Sequence, residues 1–209
     1  MSNYLDESKK TRDRYNRLAM LYDLDDVLWL GLKQYSRKKL IKETNLKDSG
    51  LVLDLTTGTG RNAGLLARWV TNGTVIGIDI SKNVLKINKL RNNRYDNLHR
   101  VQGMVQSLPF ADETFDAVFC TCGMDTIDGP DIAFSEAFRV LKKGGTVSLL
   151  HLKRNKGPLD VFNFLSRFYA WIWRADGADL LTHVQKHDVE IPVYRNLQIA
   201  EAIVARKIG

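Results

Sequence analysis

The sequence predicts an α/β fold in which a mostly parallel β-sheet ends in an antiparallel hairpin. Two observations carry this prediction. Between residues 51 and 152, short apolar runs alternate with segments of helical pattern, which is typical of a parallel sheet with helices on both faces. Near the end of the chain, two strand-like segments are joined only by Arg195-Asn196-Leu197, and so short a link permits only an antiparallel pair.

The individual elements follow from apolar patterning and turn residues. The run Leu51-Val52-Leu53-Asp54-Leu55 is typical of a buried parallel strand, and Ser81 is typical of a helix N-cap. Residues 15–43 have a helical pattern with a break near residues 23–26, whereas residues 1–12 are polar and expected to fray. Predicted strands cover residues 51–55, 74–79, 98–102, 115–121, 146–152, 189–194 and 198–206. Predicted helices cover residues 61–70, 82–94, 131–142 and 158–174.

Length and composition indicate one globular domain. The chain has 209 residues, of which 44% are hydrophobic and 26% charged, and this excludes a wholly disordered chain. We expect a helical lid segment over residues 1–45 and the main domain over residues 46–209. The sequence lacks a run of about 18 apolar residues, so no transmembrane helix is expected. A polar start unlike a signal peptide and two reduced cysteines, Cys120 and Cys122, favour a cytoplasmic location.

A glycine-rich turn followed by an acidic residue indicates a site for an adenosine-containing cofactor. Gly58-Thr59-Gly60 follows the first predicted strand and opens a helix, and glycines let a ligand approach the backbone closely. Asp79 ends the next strand, 19 residues after Gly60, where its carboxylate can accept both ribose hydroxyls. The alternative is a tight structural turn with a surface aspartate.

Asp54 discriminates between two classes of cofactor. The spacing Gly58-x-Gly60-x-x-Ala63 is also tolerated in dinucleotide-binding folds, which leaves a nicotinamide dehydrogenase as an alternative. However, Asp54 ends the first strand just before the loop, where its charge would repel a pyrophosphate. A ligand with an ammonium or sulfonium group is favoured instead, and S-adenosylmethionine carries both.

Residues 15–150 resemble the class I S-adenosylmethionine-dependent methyltransferases. Asp54, Gly58 and Gly60 match the first motif of that family, with Thr56 in place of its first glycine, and Met104 replaces the usual adenine-binding aspartate. The resemblance implies a Rossmann-like, seven-stranded, mostly parallel sheet, a methyltransferase domain over residues 46–209, and S-adenosylhomocysteine as product. The cofactor-binding residues that it implies are Tyr15, Tyr22, Asp54, Thr56, Gly58, Gly60, Asp79, Ile80, Gly103, Met104, Val105 and Thr121.

A closer resemblance is to the ubiquinone/menaquinone biosynthesis C-methyltransferases and to bacterial phospholipid N-methyltransferases. Residues 15–23 are similar to the leader of both groups, which implies that Tyr15 and Tyr22 cover the methionine end of the cofactor. Residues 122–126 and 151–155 differ from the acceptor-facing segments of the quinone enzymes. The acceptor therefore stays open between a quinone, a phospholipid headgroup and a small metabolite.

The expected chemistry is methyl transfer by in-line displacement, which requires an aligned nucleophile and the exclusion of water. A base is needed only where the acceptor must lose a proton. His151 ends the fifth predicted strand on the ligand side and is the best-placed base, with Asp125 and Tyr22 orienting the acceptor. A structural role for His151 is the alternative. His183 and His187, four residues apart on one predicted helix, would share a face, but they lack a third metal ligand, so no metal site is expected.

Charge and the aromatic segment at 158–174 bear on partners. The formal net charge is +7, which favours acidic partners, although the basic residues are scattered in short groups as on a solvated surface. Residues 158–174 are expected to pack on the core or cover the acceptor; the sharper alternative is peripheral contact with an anionic inner membrane surface. Nucleic acid is a less favoured partner, because no Asn/Asp-Pro-Pro-Tyr/Phe motif follows the fourth strand. A non-catalytic cofactor-binding regulator is a further alternative, and the oligomeric state is not determined.

Overall fold

The structure is a computed structural model that describes residues 2–19, 31–152, 179–196 and 200–209. Two predictions, the position of Tyr22 and the aromatic helix at 158–174, lie outside these residues. Asp125 lies within them, but only its backbone is described.

Helices and strands alternate along most of the described chain. The helices are α1 (Ser2–Leu18), α2 (Leu32–Glu43), α3 (Arg61–Trp69), α4 (Lys82–Arg91), α5 (Pro130–Val140) and α6 (Leu180–Val184), with a 3-10 turn at Met124–Thr126. The strands are β1 (Leu51–Leu55), β2 (Thr74–Asp79), β3 (Leu98–Gln102), β4 (Phe115–Thr121), β5 (Leu141–Leu152), β6 (Val189–Asn196) and β7 (Ala200–Lys207). In this part of the chain, no helix is both long and apolar enough to cross a bilayer.

The described strands form one seven-stranded sheet in the order β3-β2-β1-β4-β5-β7-β6. The first five strands pair in parallel, whereas β7 is antiparallel to both β5 and β6. This topology confirms the predicted α/β fold with its C-terminal antiparallel hairpin. The strand order reverses at β1, which lies between β2 and β4, and the carboxyl ends of strands at such a point flank a ligand crevice.

Helices cover both faces of the sheet. Phe134 of α5 and Val184 of α6 belong to the apolar cluster on one face, and Leu66 of α3 belongs to the cluster on the other face, with Leu40 of α2. Adjacent residues of one strand enter opposite clusters, because side chains alternate along a strand. The carboxyl edge of the sheet is thereby held between two packed layers.

The N-terminal segment differs from the prediction. Residues 2–18 form α1, so the expectation that residues 1–12 fray and that the helix begins at residue 15 is wrong. Contacts with the start of α4 hold this polar helix: Ser81 Oγ donates to Asn16 Oδ1 at 2.7 Å, and Asn83 Nδ2 donates to the Asn16 carbonyl at 3.0 Å. Such long-range polar contacts leave no apolar periodicity in the sequence.

The boundary between α5 and β5 also differs from the prediction. The helix ends at Val140 and the strand begins at Leu141, whereas the sequence pattern predicts helix to residue 142 and strand from residue 146. Leu141 pairs with Phe115, and the register then shifts before Thr146 pairs with Ala117. Residues 142–145 therefore form an irregularity within the strand.

Ser81 is confirmed as the N-cap of α4, since its Oγ accepts a hydrogen bond from Val84 N.

Arg139 of α5 fixes the loop between β3 and β4. Its guanidinium donates to the Phe110 carbonyl at 2.8 Å, to Asp112 Oδ1 at 2.7 Å and to Glu136 Oε1 at 2.6 Å. Glu136 in turn accepts a hydrogen bond from Leu108 N at 2.7 Å. This hydrogen-bond network positions the chain that leads from β3 to β4.

Candidate cofactor-binding site

A cleft opens at the carboxyl ends of β1, β2 and β4 and is bordered by α1. It encloses about 610 Å³ of space free of protein atoms, part of it open to solvent. Eight predicted binding residues line it: Tyr15, Thr56, Gly58, Asp79, Ile80, Gly103, Met104 and Val105. Eight residues without a predicted binding role also line it: Ser8, Thr11, Gln106, Cys122, Gly123, Thr126, Ile127 and Asp128.

The loop after β1 turns through residues of positive φ. Thr56, Gly58 and Gly60 have φ values of 48°, 54° and 81°. Gly58 faces the cleft, where the lack of a side chain leaves its backbone open to a ligand. Gly60 lies off the cleft wall, and a Cβ there would approach Asn88 Oδ1 to 2.3 Å. Gly60 therefore serves the close packing of the loop on α4, and the structure does not bring it to the ligand cleft.

Two asparagines hold this loop from behind. Asn88 Nδ2 donates to Thr57 Oγ1 at 3.4 Å, and Asn92 Nδ2 donates to the Gly60 carbonyl at 2.8 Å. Asn88 Oδ1 accepts from Arg100 Nε at 3.1 Å, which fixes the amide in turn. These buried hydrogen bonds give the loop a defined shape through side chains of α4 and β3.

Thr56 occupies a backbone conformation that favours glycine. A β-branched residue with positive φ is uncommon, and the left-handed region is costly for it. Its Oγ1 donates to the Leu55 carbonyl at 2.7 Å and lies 3.2 Å from Cys120 Sγ. A Cβ at Gly123 would lie only 2.0 Å from that Oγ1. Gly123 therefore makes room for the threonine that stands where the family has glycine.

Asp54 supports the loop and does not line the cleft. It is 1% exposed, and its carboxylate accepts hydrogen bonds from Thr57 Oγ1 and Asn62 Nδ2, each at 2.6 Å. Burial raises the pKa of Asp54 to about 6, against the lowering effect of these two hydrogen bonds. The sequence predicts a direct electrostatic effect of Asp54 on the ligand, whereas the contacts of Asp54 with Thr57 and Asn62 shape the loop.

Asp79 lies on the cleft wall at the end of β2. Its Oδ2 accepts a hydrogen bond from Gly58 N and its Oδ1 from Ser81 N, both at 2.9 Å. Burial raises the pKa of Asp79 to about 6. Ile80 is a third backbone donor to Asp79, and because a carboxylate has about four acceptor positions, acceptor capacity is left for a ligand hydroxyl.

The wall opposite the glycine loop is formed by residues 103–106. Gly103 N donates to the Asp79 carbonyl at 3.1 Å, and a Cβ at Gly103 would meet Ile78 Cδ1 at 2.9 Å. Gln106 Nε2 donates to the Asp128 carbonyl at 2.8 Å, which ties this wall to the segment before α5. Met104 gives the wall an apolar side chain where the resembling family has an aspartate.

The N-terminal helix closes one side of the cleft. Ser8, Thr11 and Tyr15 are spaced three and four residues apart, so they share one face of α1. Thr11 Oγ1 donates to Asp128 Oδ2 at 3.3 Å. That spacing was the available sequence signal for Ser8 and Thr11. It was missed because α1 has no apolar stripe, and the Gln106 and Asp128 contacts are long-range and leave no local signal.

The remaining predicted site residues are not among the described residues that line the cleft. Thr121 is buried at the end of β4 and lies off the cleft wall, where Cys122 and Gly123 stand instead. The side chain of Asp125 and all of Tyr22 lie outside the described residues. His151 also lies off the wall of this cleft and is 2% exposed.

His151 is buried at the carboxyl end of β5, where it belongs to a hydrogen-bonded polar group. Its Nε2 lies 2.8 Å from Glu201 Oε2 on the neighbouring strand β7. Tyr194 of β6 donates its hydroxyl proton to Glu201 Oε1 at 2.9 Å. The Nδ1 atom of His151 is buried and has no hydrogen-bond partner among the described residues.

No cluster of metal-ligating side chains occurs in the described ranges. His183 stacks on Phe134 with ring centroids 5.3 Å apart, and His187 stacks on Phe138 at 4.2 Å. The predicted common helix is wrong, because α6 ends at Val184, before His187. These two histidines pack residues 183–187 against α5.

Comparison with known proteins decides the family. Residues 53–149 match a family described as a methyltransferase domain. The demethylmenaquinone methyltransferase of Lactobacillus johnsonii is 32% identical over 165 residues, which cover 77% of this chain and 68% of that protein. The chain belongs to the class I S-adenosylmethionine-dependent methyltransferases. The ubiquinone/menaquinone biosynthesis C-methyltransferase UbiE of Pasteurella multocida is 33% identical over 171 residues, or 79% of this chain and 63% of that protein.

This methyltransferase therefore spans about two thirds of the length of these two relatives, 68% and 63%. Among solved structures, phosphoethanolamine N-methyltransferase 2 of Haemonchus contortus, in complex with S-adenosylmethionine, has a TM-score of 0.69. It is 17% identical, with 84% of this chain and 53% of that chain covered. At that identity the likeness shows the shared fold.

The donor set of the cleft fits the cofactor of this methyltransferase family. S-adenosylmethionine presents ribose hydroxyls, an adenine ring and a cationic methionine end. The cleft offers the Asp79 carboxylate with a free acceptor position, the open backbone of Gly58, and an apolar wall at Ile80 and Met104. The predicted cofactor, S-adenosylmethionine, is confirmed by the family and agrees with this chemistry.

Proposed function

We propose that this methyltransferase transfers its methyl group to a ring carbon of a hydroquinone-type, lipid-like acceptor. The observation that carries the proposal is the 32% identity, over 165 residues, to a protein named as a demethylmenaquinone methyltransferase. The family match over residues 53–149 includes the loops at the carboxyl ends of β1, β2, β3 and β4, which build the cleft. Cys122 and Ile127 add apolar surface to the cleft, which suits a flat aromatic acceptor.

Five cleft residues have a proposed part in holding the cofactor. Asp79 would accept a ribose hydroxyl, while Ile80 and Met104 would pack on the adenine. Gly58 would let the cofactor lie against the backbone, and Tyr15 would cover it from α1. Bound in this way, S-adenosylmethionine supplies a methyl group on a sulfonium, which an aligned nucleophile can attack.

The protein's own contribution is orientation and exclusion of water. In-line displacement requires the nucleophile, methyl carbon and sulfur to lie along one line, so walls that fix both ligands lower the barrier. α1 and the segment from Cys122 to Asp128 border the cleft from two sides. Asp125 and Tyr22 are proposed to orient the acceptor.

The first experiment measures cofactor binding. Calorimetric titration with S-adenosylhomocysteine is expected to give micromolar affinity, and NADH is expected not to bind. Asp79→Ala is expected to weaken binding, whereas Asp96→Ala, an exposed aspartate before β3, serves as the matched control. Binding of NADH in preference to S-adenosylhomocysteine would contradict the assignment of the cleft.

The second experiment identifies the acceptor. Purified protein is incubated with methyl-labelled S-adenosylmethionine and a short-chain demethylmenaquinol, phosphatidylethanolamine vesicles, or duplex DNA and RNA. Label in the quinol ring supports the proposal. Label in phosphatidylethanolamine alone would replace it with a phospholipid acceptor, and label in nucleic acid with base methylation. S-adenosylhomocysteine binding without any transfer would indicate a non-catalytic regulator.

A phospholipid headgroup is the second candidate acceptor, favoured by the net charge of +7 and by the basic and aromatic residues at 158–174. A lipid-like acceptor of either kind is reached at a membrane surface. We propose that residues 158–174 make this contact. Co-sedimentation with vesicles containing phosphatidylglycerol, but not with neutral vesicles, is the expected result, and equal sedimentation with both would contradict it.

A further inference from the structure

Three side chains on neighbouring strands form a hydrogen-bonded row beside the cleft, which is buried at His151 and Glu201 and exposed at Tyr194. Tyr194 of β6 donates to Glu201 Oε1 at 2.9 Å, and Glu201 Oε2 lies 2.8 Å from His151 Nε2. Glu201 is 4% exposed and His151 is 2% exposed. Both oxygens of the glutamate are thus engaged, and its orientation is fixed by the strand on each side.

This row determines which nitrogen of His151 carries the proton. A carboxylate accepts hydrogen bonds, so Nε2 is the donor, and a neutral imidazole with a proton on Nε2 has a bare lone pair on Nδ1. Nδ1 is buried without a partner among the described residues. Buried polar atoms are almost always paired, so an unpaired one indicates a site that a ligand or catalytic step completes.

The position of His151 relates it to the cleft. Thr121 pairs with Leu150 across the sheet, and the next residue, Cys122, donates its backbone N–H to the Leu150 carbonyl at 2.6 Å. Cys122 lines the cleft. His151 therefore lies about one strand spacing, ~4.8 Å, from a residue of the cleft wall, at the carboxyl edge where ligands bind.

We propose that Glu201, held by Tyr194, positions His151 so that its Nδ1 accepts the proton of an acceptor hydroxyl. The acceptor is accordingly a phenol or hydroquinone that ionises on the protein. This inference rests on the proposed methyl transfer and names the acceptor chemistry for it. His151 is the catalytic residue, and Glu201 and Tyr194 are positioning residues.

The step balances in atoms and electrons. The hydroxyl proton passes to Nδ1, and the oxygen keeps the electron pair of the O–H bond. A ring carbon conjugated with that oxygen forms a bond to the methyl carbon as the methyl–sulfur bond breaks, with its pair left on sulfur. The ring carbon then gives up its hydrogen as a proton to the oxygen, and His151 releases one proton to solvent for each methyl group transferred.

Four variants separate this role from a structural one. His151→Gln keeps a side-chain N–H near the position of Nε2, for Glu201, but removes the Nδ1 lone pair. Glu201→Gln and Tyr194→Phe remove the charge and the hydroxyl of the positioning residues. Glu190→Gln, on the same hairpin and exposed, is the matched control for loss of a carboxylate.

The activity measurements have a defined expected pattern. His151→Gln lowers kcat by about 100-fold or more, while the Kd for S-adenosylhomocysteine stays within about twofold. The loss shrinks for a halogenated hydroquinone that is already ionised in the buffer. Glu201→Gln lowers kcat by about tenfold or more, the effect of one hydrogen bond to a charged partner, and moves the acidic limb of the kcat profile to lower pH. Glu190→Gln matches the wild type.

A second readout does not depend on turnover. ¹⁵N NMR of labelled imidazoles reports the tautomer, with His151→Gln assigning the signal. We expect the proton on Nε2 in the wild-type and Glu190→Gln proteins. A proton on Nδ1 would overturn the inference whatever the activity.

Failure of the inference is distinguishable from failure of the proposed function. Undiminished turnover in His151→Gln would overturn the role of His151 and leave methyl transfer standing. The role of His151 would also be overturned if His151→Gln lowers turnover equally for ionised and un-ionised acceptors. Absence of methyl transfer by the wild type to any hydroquinone would defeat the proposed function, and with it the role in turnover.

Discussion

Replacement of Gly123 by alanine tests the contact that accommodates Thr56 in the cofactor loop. A Cβ at residue 123 would lie 2.0 Å from Thr56 Oγ1 and 2.7 Å from Thr56 Cβ. The φ of Gly123 is −141°, outside the left-handed region that favours glycine. Thr56 has little room to move, since Oγ1 is bound to the Leu55 carbonyl at 2.7 Å. The whole effect of the substitution is therefore steric.

The expected magnitude follows from these distances. Forcing one methyl group into a filled site costs about 1–3 kcal/mol in the free energy of unfolding. Thr56→Gly alone is expected to be nearly neutral. It relieves about 1–2 kcal/mol of left-handed strain, but loses a hydrogen bond of about 0.5–1.5 kcal/mol and adds roughly 0.5–1 kcal/mol of backbone entropy. In the Thr56→Gly background, the alanine side chain at residue 123 meets open space, so Gly123→Ala should leave the free energy of unfolding almost unchanged.

Urea unfolding of the wild type, both single variants and the double variant measures this coupling. We expect a coupling energy of about 1–3 kcal/mol, with the double variant close to Thr56→Gly. S-adenosylhomocysteine calorimetry on the same four proteins should show the same ranking of affinity, because both residues line the cleft. An equal cost of Gly123→Ala in both backgrounds would refute the steric reasoning.

Three further predictions concern the cleft and its supports. Asp79→Ala should weaken S-adenosylhomocysteine binding by roughly tenfold or more, the loss of one hydrogen bond to a charged group, and unchanged affinity in calorimetry would refute the ribose assignment. Burial raises the pKa of Asp79 to about 6, so affinity should fall as the pH drops through that value and the carboxylate is protonated. In Asp79→Asn that dependence should disappear, and any that persists would belong to Asp54, whose pKa is also raised to about 6. Arg139→Met should lower the free energy of unfolding by about 1–3 kcal/mol, because the β3–β4 loop loses its hydrogen bonds, and Arg206→Met, at an exposed 3.8 Å pair, is the control that should change little.

Much of the fold could be predicted because its signals are local. Buried parallel strands such as Leu51–Leu55 are short apolar runs, and Ser81 marks a helix start by a side chain that bonds three residues ahead. The α5–β5 boundary was misplaced because Leu141 is extended only through its pairing with Phe115 on another strand. A helix pattern ending in two glycines carries no information about that partner.

The site residues also separate into those with a local sequence signal and those set by long-range contacts. Gly58 and Asp79 were found on the cleft wall because one turn and one strand end place them there. Asp54 and Gly60 match the same motif, yet they support the loop through Asn62 and Asn88, contacts that the spacing of residues does not reveal. Glu201 gave no signal at all, since only the antiparallel register sets it opposite His151.

The docking of α1 has a kinetic consequence. A ligand that fills the cleft touches the same helix face that carries Ser8, Thr11 and Tyr15. The hydrogen bonds from Ser81 and Asn83 to Asn16 join that helix to the start of α4, at the rim of the molecule. Rim elements joined by polar contacts open at a lower free energy than the core unfolds. We therefore expect departure of S-adenosylhomocysteine to be coupled to the undocking of this helix, so that the turnover rate responds to the strength of the Asn16 contacts.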